Sequence, residues 1–272
     1  MTATIEVLQV AGLATVQDAG RPGRMHEGVP PGGALVPELL ATANLAAGNA
    51  PGNPALELFG SIVLAVPVTA PPLLVAVDGE PAHRLRPGDR WSVTSRGARV
   101  RYLAVHGAFD VPVVLGGRGT FLLGAFGGHE GRALRKGDSL LVGSVPLAPP
   151  SIPPFPPFDP AAAIHVIPGP DLERFALDAL LGSSFEVSPK SDRVGVRLHG
   201  AALPRAGGDG AVSGPMVLGA IQVPGSGEPI VLGPDHPTTG GYPVIATVAR
   251  RDLGALMARP IGASVRFQAL PA

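Results

Sequence analysis

The sequence predicts an all-β protein with a few short helices, divided into two strand-rich parts. Three observations lead there: short apolar or β-branched runs recur along the chain, glycine and proline turns separate them, and a proline tract interrupts the middle. Of the 272 residues, 38 are glycine and 32 are proline, a turn-rich composition. Since 45% are hydrophobic, apolar surface is ample for a core, and the chain reads as folded.

Strand candidates fall at residues 5–10, 62–66, 73–77, 100–106, 185–187 and 265–267, the spacing of a barrel or sandwich. Two more, at residues 229–232 and 244–248, flank a polar loop. The longest apolar stretch, residues 62–77, is broken by Pro67, Pro71 and Pro72. It therefore reads as two buried strands and excludes a spanning helix. Three helices are predicted. The first covers residues 37–47, with Pro37 suited to its first turn and Gly48 to its stop. The second covers residues 170–181, where Leu172, Phe175, Ala176, Ala179 and Leu180 recur at helical spacing. The third is opened by Asp252 as N-cap and ends before Pro260.

A short internal echo links Arg86-Pro87-Gly88-Asp89-Arg90-Trp91 to Arg135-Lys136-Gly137-Asp138-Ser139-Leu140, each read as a turn feeding an apolar strand. Residues 148–157 hold a run of prolines that favours an extended, semi-rigid spacer. This places two domains at residues 1–150 and 158–272.

With 21 basic and 21 acidic residues interspersed, the formal net charge is zero. Neither a nucleic-acid footprint nor a polybasic membrane patch is present. The chain has no cysteine, which removes disulfides and thiolate chemistry and fits a reducing, cytoplasmic setting. No signal peptide is read at the N-terminus, since Glu6 and Gln9 occupy it without a basic region. Phosphate-loop, nucleophile-elbow and zinc-protease motifs are missing, and the seven histidines are scattered singly, so no metal set is expected. Residues 116–131 are glycine-rich but lack the lysine-hydroxyl pair of a phosphate loop.

What remains is polar groups on shaped loops. Gly233 to Pro243 packs Asp235, His236, Thr238, Thr239 and Tyr242 among three glycines and three prolines, between two strand candidates. Such loops carry binding and catalysis, or form a hairpin whose Asp and Thr close turns. Asp192 and Arg193 precede it, with Gln222 between. In the first half the corresponding groups are Gln17, Asp18 and Arg21, then Asn44, Asn49 and Glu57. Asn44 lies on the apolar side of its helix and must find buried partners.

The elements Thr15-Val16-Gln17-Asp18-Ala19-Gly20-Arg21, Gly28-Val29-Pro30-Pro31-Gly32-Gly33-Ala34, Ala43-Asn44-Leu45, Gly48-Asn49, Tyr102-Leu103-Ala104-Val105, Ser191 to Leu198, Gly219-Ala220-Ile221-Gln222-Val223-Pro224 and the Asp235 loop follow in order over nearly the whole chain. In this series the chain resembles the biotin-dependent carboxyltransferase family. That family includes allophanate-hydrolase-subunit-2-like proteins, the C component of bacterial 5-oxoprolinase and the carboxyltransferase region of urea carboxylase. The resemblance implies two cyclophilin-like β-barrel domains. It implies two partners, a second cyclophilin-like protein resembling the B component of 5-oxoprolinase and another resembling its A component, with ATP at the level of the complex. The implied activity is ATP-dependent opening of the 5-oxoproline lactam to glutamate. The alternatives are a carboxyltransferase component, where biotin enters, and a non-catalytic regulator that binds a kinase-inhibitor-like partner.

On that reading Asp235, His236 and Arg193 are catalytic. Gln17, Asp18, Arg21, Asn44, Gln222, Thr238, Thr239 and Tyr242 contact the substrate, facing a junction between the domains. An unassisted amide is a poor electrophile, so donors must hold the charge that develops on its oxygen. Asp235→Asn is expected to change stability by no more than about 1 kcal/mol. The chain departs from the family at Val36, where Asp is usual, at Gly117-Arg118-Gly119-Thr120, at Pro237 and at Met257. Replacing Val36 with Asp is expected to be tolerated, with activity equal or improved, if space permits.

Overall fold

In a computed structural model, residues 3–78, 80–144, 158–159, 161–175, 177–204 and 212–271 are described. The proline spacer expected at residues 148–157 lies outside them. The chain divides into two compact units, Met1–Pro22 with Gly32–Pro156, and Gly23–Pro31 with Pro157–Ala272. Strands dominate both.

The first unit contains β1 (Ala3–Gln17), α1 (Pro37–Ala46), β2 (Ala55–Ala65), β3 (Leu73–Val77), β4 (His83–Leu85), β5 (Arg90–Thr94), β6 (Arg101–Val105) and β7 (Ser139–Val142). They form a seven-stranded sheet in the order β4-β3-β6-β2-β1-β7, with β5 also on β2. Two irregularities make this sheet work. The pairing of β1 with β2 shifts between Val7 and Gln9. The extra residue flips the parity of the inward face, so Ile5 and Val7 point into the core before the bulge and Ala14 and Val16 after it. Opposite them, Leu56, Leu58, Ile62 and Leu64 keep one parity throughout.

The second irregularity is the cross-strand pair Gly12–Gly60, at φ of 101° and 116°. A Cβ on Gly12 would stand 2.1 Å from the Phe59 carbonyl oxygen, and one on Gly60 2.0 Å from that of Ala11. Only glycine permits this approach. Here β2 changes partners, pairing with β6 through Leu56–Leu58 and with β5 through Ser61–Ala65. Buried Ser95 covers the changeover, its N–H donating to the Gly60 carbonyl at 2.7 Å and its Oγ accepting the Gly60 N–H at 2.7 Å.

The sequence echo is one turn used twice. Asp89 and Asp138 each accept the N–H of the arginine three residues earlier, Arg86 at 2.7 Å and Arg135 at 2.8 Å. Gly88 and Gly137 take positive φ, and both turns close back onto a strand, at Val66 just past the end of β2 and at Val7 beside the bulge of β1.

Helix α1 matches its expected span. No side chain caps it. Instead the Leu35 N–H donates to buried Glu57 at 2.8 Å, and the Val36 N–H to the Tyr102 hydroxyl at 2.9 Å, which itself donates to Glu57 at 2.5 Å. A buried carboxylate thus sits where the helix N-terminus favours negative charge.

The second unit contains β8 (Ile164–Pro168), α2 (Leu177–Gly182), β9 (Ser184–Val187), β10 (Gly195–Gly200), β11 (Gly214–Pro215), β12 (Ala220–Gln222), β13 (Ile230–Leu232), β14 (Thr239–Gly240), β15 (Val244–Val248), α3 (Arg250–Met257) and β16 (Ser264–Ala269). Seven strands close into a barrel in the order β10-β13-β12-β15-β8-β16-β9. Alternate residues fill it, among them Ile164, Val166, Phe185, Val187, Val196, Leu198, Val265 and Phe267. The Phe185 and Phe267 rings lie 6.0 Å apart. In the first unit, by contrast, strand pairing does not close into a barrel among the described residues.

Two helix expectations need correction. The predicted helix over residues 170–181 breaks at Phe175, which is extended at φ −138°, ψ 156°, leaving a 3-10 turn at Leu172–Arg174 and the short α2. Asp252 is not the N-cap of α3, a place taken by Ala249. Its carboxylate accepts the N–H and the Nδ1 of His165 on β8, each at 2.8 Å, and so ties the helix to the barrel.

Val36 is fully buried at 0% exposure, which overturns the expectation that Asp is tolerated there. Val36→Asp should destabilise by roughly 2–7 kcal/mol, read as a lowered urea midpoint. A second prediction concerns Asp138, whose carboxyl is held down to about 2 from 3.8, chiefly by the Arg132 guanidinium at 2.8 Å. A depressed folded pKa means stability that is present above about pH 4 and lost as pH falls toward 2. Asp138→Asn should cost about 2 kcal/mol at neutral pH. Urea unfolding at successively lower pH should show that difference shrinking.

Candidate functional site

In the first unit the predicted site residues clamp an irregular segment. Between β6 and β7, residues 106–138 form no strand, and Ala108, Leu115, Ala125 and Glu130 all take positive φ. Gln17 is fully buried and donates its amide to Thr15 Oγ1 at 3.1 Å and to the Thr120 carbonyl at 3.0 Å. Asp18 accepts the Gly20 N–H at 2.8 Å and the Arg118 N–H at 2.6 Å. Arg21 donates to the Gly119 carbonyl and lies 5.0 Å over the Phe126 ring. That ring packs edge-on against Phe121 at 5.4 Å. These three side chains hold backbone.

Asn44 does likewise. Its amide donates to the carbonyls of Asn53 at 2.8 Å and Pro51 at 3.3 Å, and its oxygen accepts from Asn49 at 3.1 Å. Asn49 also donates to the Val105 carbonyl at 2.8 Å and accepts the Gly107 N–H at 3.0 Å. Each hydrogen-bonding group of the Asn44 side chain is used, in keeping with its burial.

The second unit brings the polar loop and Arg193 together. Arg193 Nε and Nη2 donate to the two Asp235 oxygens at 2.8 and 3.0 Å, a fork in which the side chains are 5% and 6% exposed. Backbone follows: the Asp235 N–H donates to the Arg193 carbonyl at 3.1 Å and the Gly233 N–H to that of Val194 at 2.8 Å. A Cβ on Gly233 would stand 2.4 Å from the Arg193 oxygen, so glycine is needed for this closure. His236 is fully buried, with Nδ1 2.8 Å from the Pro237 carbonyl. A carbonyl only accepts, so Nδ1 carries a proton and donates it to that oxygen.

The loop then turns outward. Gln222 donates to Met216 Sδ at 3.0 Å and to the Tyr242 carbonyl at 3.3 Å, and Thr239–Gly240 pairs with Gly214–Pro215. Thr238 is half-buried, whereas Thr239 and Tyr242 are exposed. Of the predicted residues in this unit, these three present groups to solution. No set of metal-ligating side chains occurs among the described residues.

Sequence reasoning missed Tyr102, Thr120 and the stacking of Phe126 on Arg21. Tyr102 had a signal: a tyrosine inside an apolar strand must place its hydroxyl on a partner. It missed as well a cleft of about 620 Å³ lined by Glu186, Lys190, Arg197, His199 and Tyr242 among others. The Arg193–Asp235 pair does not line it, and the two places share only Tyr242.

A family model described as carboxyltransferase domain, subdomain A and B, matches residues 27–269. The chain belongs to this carboxyltransferase-domain family. It is 32% identical to the C component of the Escherichia coli 5-oxoprolinase over 97% of this chain and 90% of that protein. The C component of the Haemophilus influenzae enzyme is likewise 32% identical, over 98% and 91%. Similarity to the urea amidolyase of Saccharomyces cerevisiae is 31% over 97% of this chain but only 16% of that protein. Among solved structures, TTHA0988 superposes with a TM-score of 0.86 at 30% identity, covering 98% of this chain and 56% of that one. The urea amidolyase of K. lactis gives 0.85 at 28% identity, covering 98% and 19%.

The fork corrects the expectation that Asp235 is dispensable for stability. Breaking a buried pair strands its partner charge, so Asp235→Asn should cost roughly 3–5 kcal/mol in chemical unfolding. The double variant Arg193→Met, Asp235→Leu should lose clearly less than either single change. Equal stability of Asp235→Asn and the parent would mean that the pair is not formed in solution.

Proposed function

We propose that this chain is the C-type component of an ATP-dependent 5-oxoprolinase, working with A-type and B-type partners to open the 5-oxoproline lactam to glutamate. The observation that carries this reading is coverage: the match to the C component of 5-oxoprolinase runs end to end on both sides, whereas urea amidolyases are matched over a small fraction of their length. A cytoplasmic location goes with it. No helix among the described residues is long and apolar enough to cross a membrane.

The loop supports a division of labour within this reading. Arg193 and Asp235 are positioning residues, since the fork joins both carboxylate oxygens to Nε and Nη2 of the guanidinium in a buried place. Thr238, Thr239 and Tyr242 are the groups placed to meet a lactam, with hydroxyls that donate to a carbonyl oxygen as charge develops on it. ATP fits poorly on the glycine-rich segment. Several of its amides are spent internally: Arg118 on Asp18, Thr120 on the Val16 carbonyl, Gly128 on that of Arg118 and Gly131 on that of Gly127. In this proposal the nucleotide is held by a partner. The carboxyltransferase alternative, in which biotin takes part, draws on the same hydroxyls and on the likeness to urea amidolyases.

The test is a mixture of this chain with A-type and B-type 5-oxoprolinase proteins, read as ATP hydrolysis dependent on 5-oxoproline. Turnover should require the chain, and Thr238→Ala with Thr239→Ala should lower it about 10²-fold while the melting temperature holds. Equal turnover with the chain omitted would overturn the proposal.

A further inference from the structure

The cleft in the second unit has a charge pattern of its own. Strand register sets its floor. Phe185, Val187, Val196 and Leu198 point into the barrel, so Glu186, Arg197 and His199 point out. His199 pairs directly with Glu186 across the ladder, and Ser188 donates its N–H to the Arg197 carbonyl at 2.9 Å. Two cross-strand rows therefore lie side by side, about 7 Å apart along the strands.

One end is cationic and the other acidic. Lys190, two residues beyond Ser188, adds to Arg197. At the other end Glu228 bonds His199 Nδ1 at 2.6 Å and joins Glu186. The guanidinium of Arg197, the ammonium of Lys190 and the carboxylate of Glu186 make no hydrogen bond or ion pair with other described residues. Tyr242 and Ile261 add apolar surface to the lining, at 54% and 49% exposure.

We propose that this cleft binds a small zwitterion, a molecule with a carboxylate at one end, an amino group at the other and a spacer of a few carbons between. Arg197 receives the carboxylate in a two-bond fork, with Lys190 beside it. Glu186 receives the ammonium, and Tyr242 and Ile261 cover the spacer. A dianion meets repulsion at the Glu186 end, and a diamine meets it at the Arg197 end. The inference needs only the barrel of the second unit, and of the groups proposed to meet a lactam it uses Tyr242 alone.

Three probes test it on the full chain, followed through the amide resonances of Val187, Ser188 and Leu198: 5-aminopentanoate, pentanoate and pentylamine. 5-Aminopentanoate should bind saturably in the millimolar range, and each singly charged probe about tenfold more weakly. Arg197→Gln should remove its advantage over pentylamine, and Glu186→Gln its advantage over pentanoate. Both side chains are exposed, so the fold should tolerate these changes. No saturable shift at about 10 mM, equal binding of the three probes, or indifference to both substitutions would overturn the proposal. Because binding is read without partner proteins or ATP, failure here is distinguishable from failure of the 5-oxoprolinase reading.

Discussion

The polar loop of the second unit depends on the fork between Arg193 and Asp235. Taking two charges out of water is costly, and good geometry is what offsets it. Here both carboxylate oxygens meet two nitrogens of one planar group, the arrangement that gives arginine its advantage over lysine. Around the fork the backbone closes at Gly233 and Asp235 onto Val194 and Arg193, in the bend that leads into β10. The loop is thus part of the barrel wall up to His236, and only beyond that point does it offer Thr238, Thr239 and Tyr242 to solution.

The first unit follows the same physical logic with neutral and charged groups mixed. A long segment without strands costs conformational entropy and exposes backbone polar groups, and both costs must be met by side chains that reach in from regular elements. Gln17, Asp18 and Arg21 at the end of β1 do this for residues 106–138, and Asn44 with Asn49 does it for the chain leaving α1. Most of the buried polar side chains at these two places hold loops. Function is then carried by what those loops present, in keeping with rigid scaffolds that carry shaped loops.

Much of this was legible in the sequence. The strands Leu73–Val77 and Val244–Val248 agree residue for residue with apolar runs between turn residues, and the paired Arg-x-Gly-Asp turns form the same hydrogen bonds twice. The 3.6-residue spacing around Phe175 misled, because an aromatic residue at a helical position also suits an extended one, which is the conformation Phe175 takes. Asp252 looked like a cap because caps and inward-reaching carboxylates share residue types. The site was legible as a list and not as geometry: the sequence singled out Arg193 and Asp235, 42 positions apart, without showing that they satisfy each other. The outward row of Glu186, Arg197 and His199 was hidden for a different reason, since only strand register brings it together.

Amide hydrogen exchange in the intact, unsubstituted chain tests most directly whether the fork and its backbone closure lock the polar loop to the barrel. The N–H groups of Gly233 and Asp235 should be protected to the same degree as those of β10 and β13, opening only with the barrel. Exchange of these two amides about 10²-fold or more faster than the Val196–Val231 ladder would contradict it, because the loop would then open on its own while the barrel stays closed.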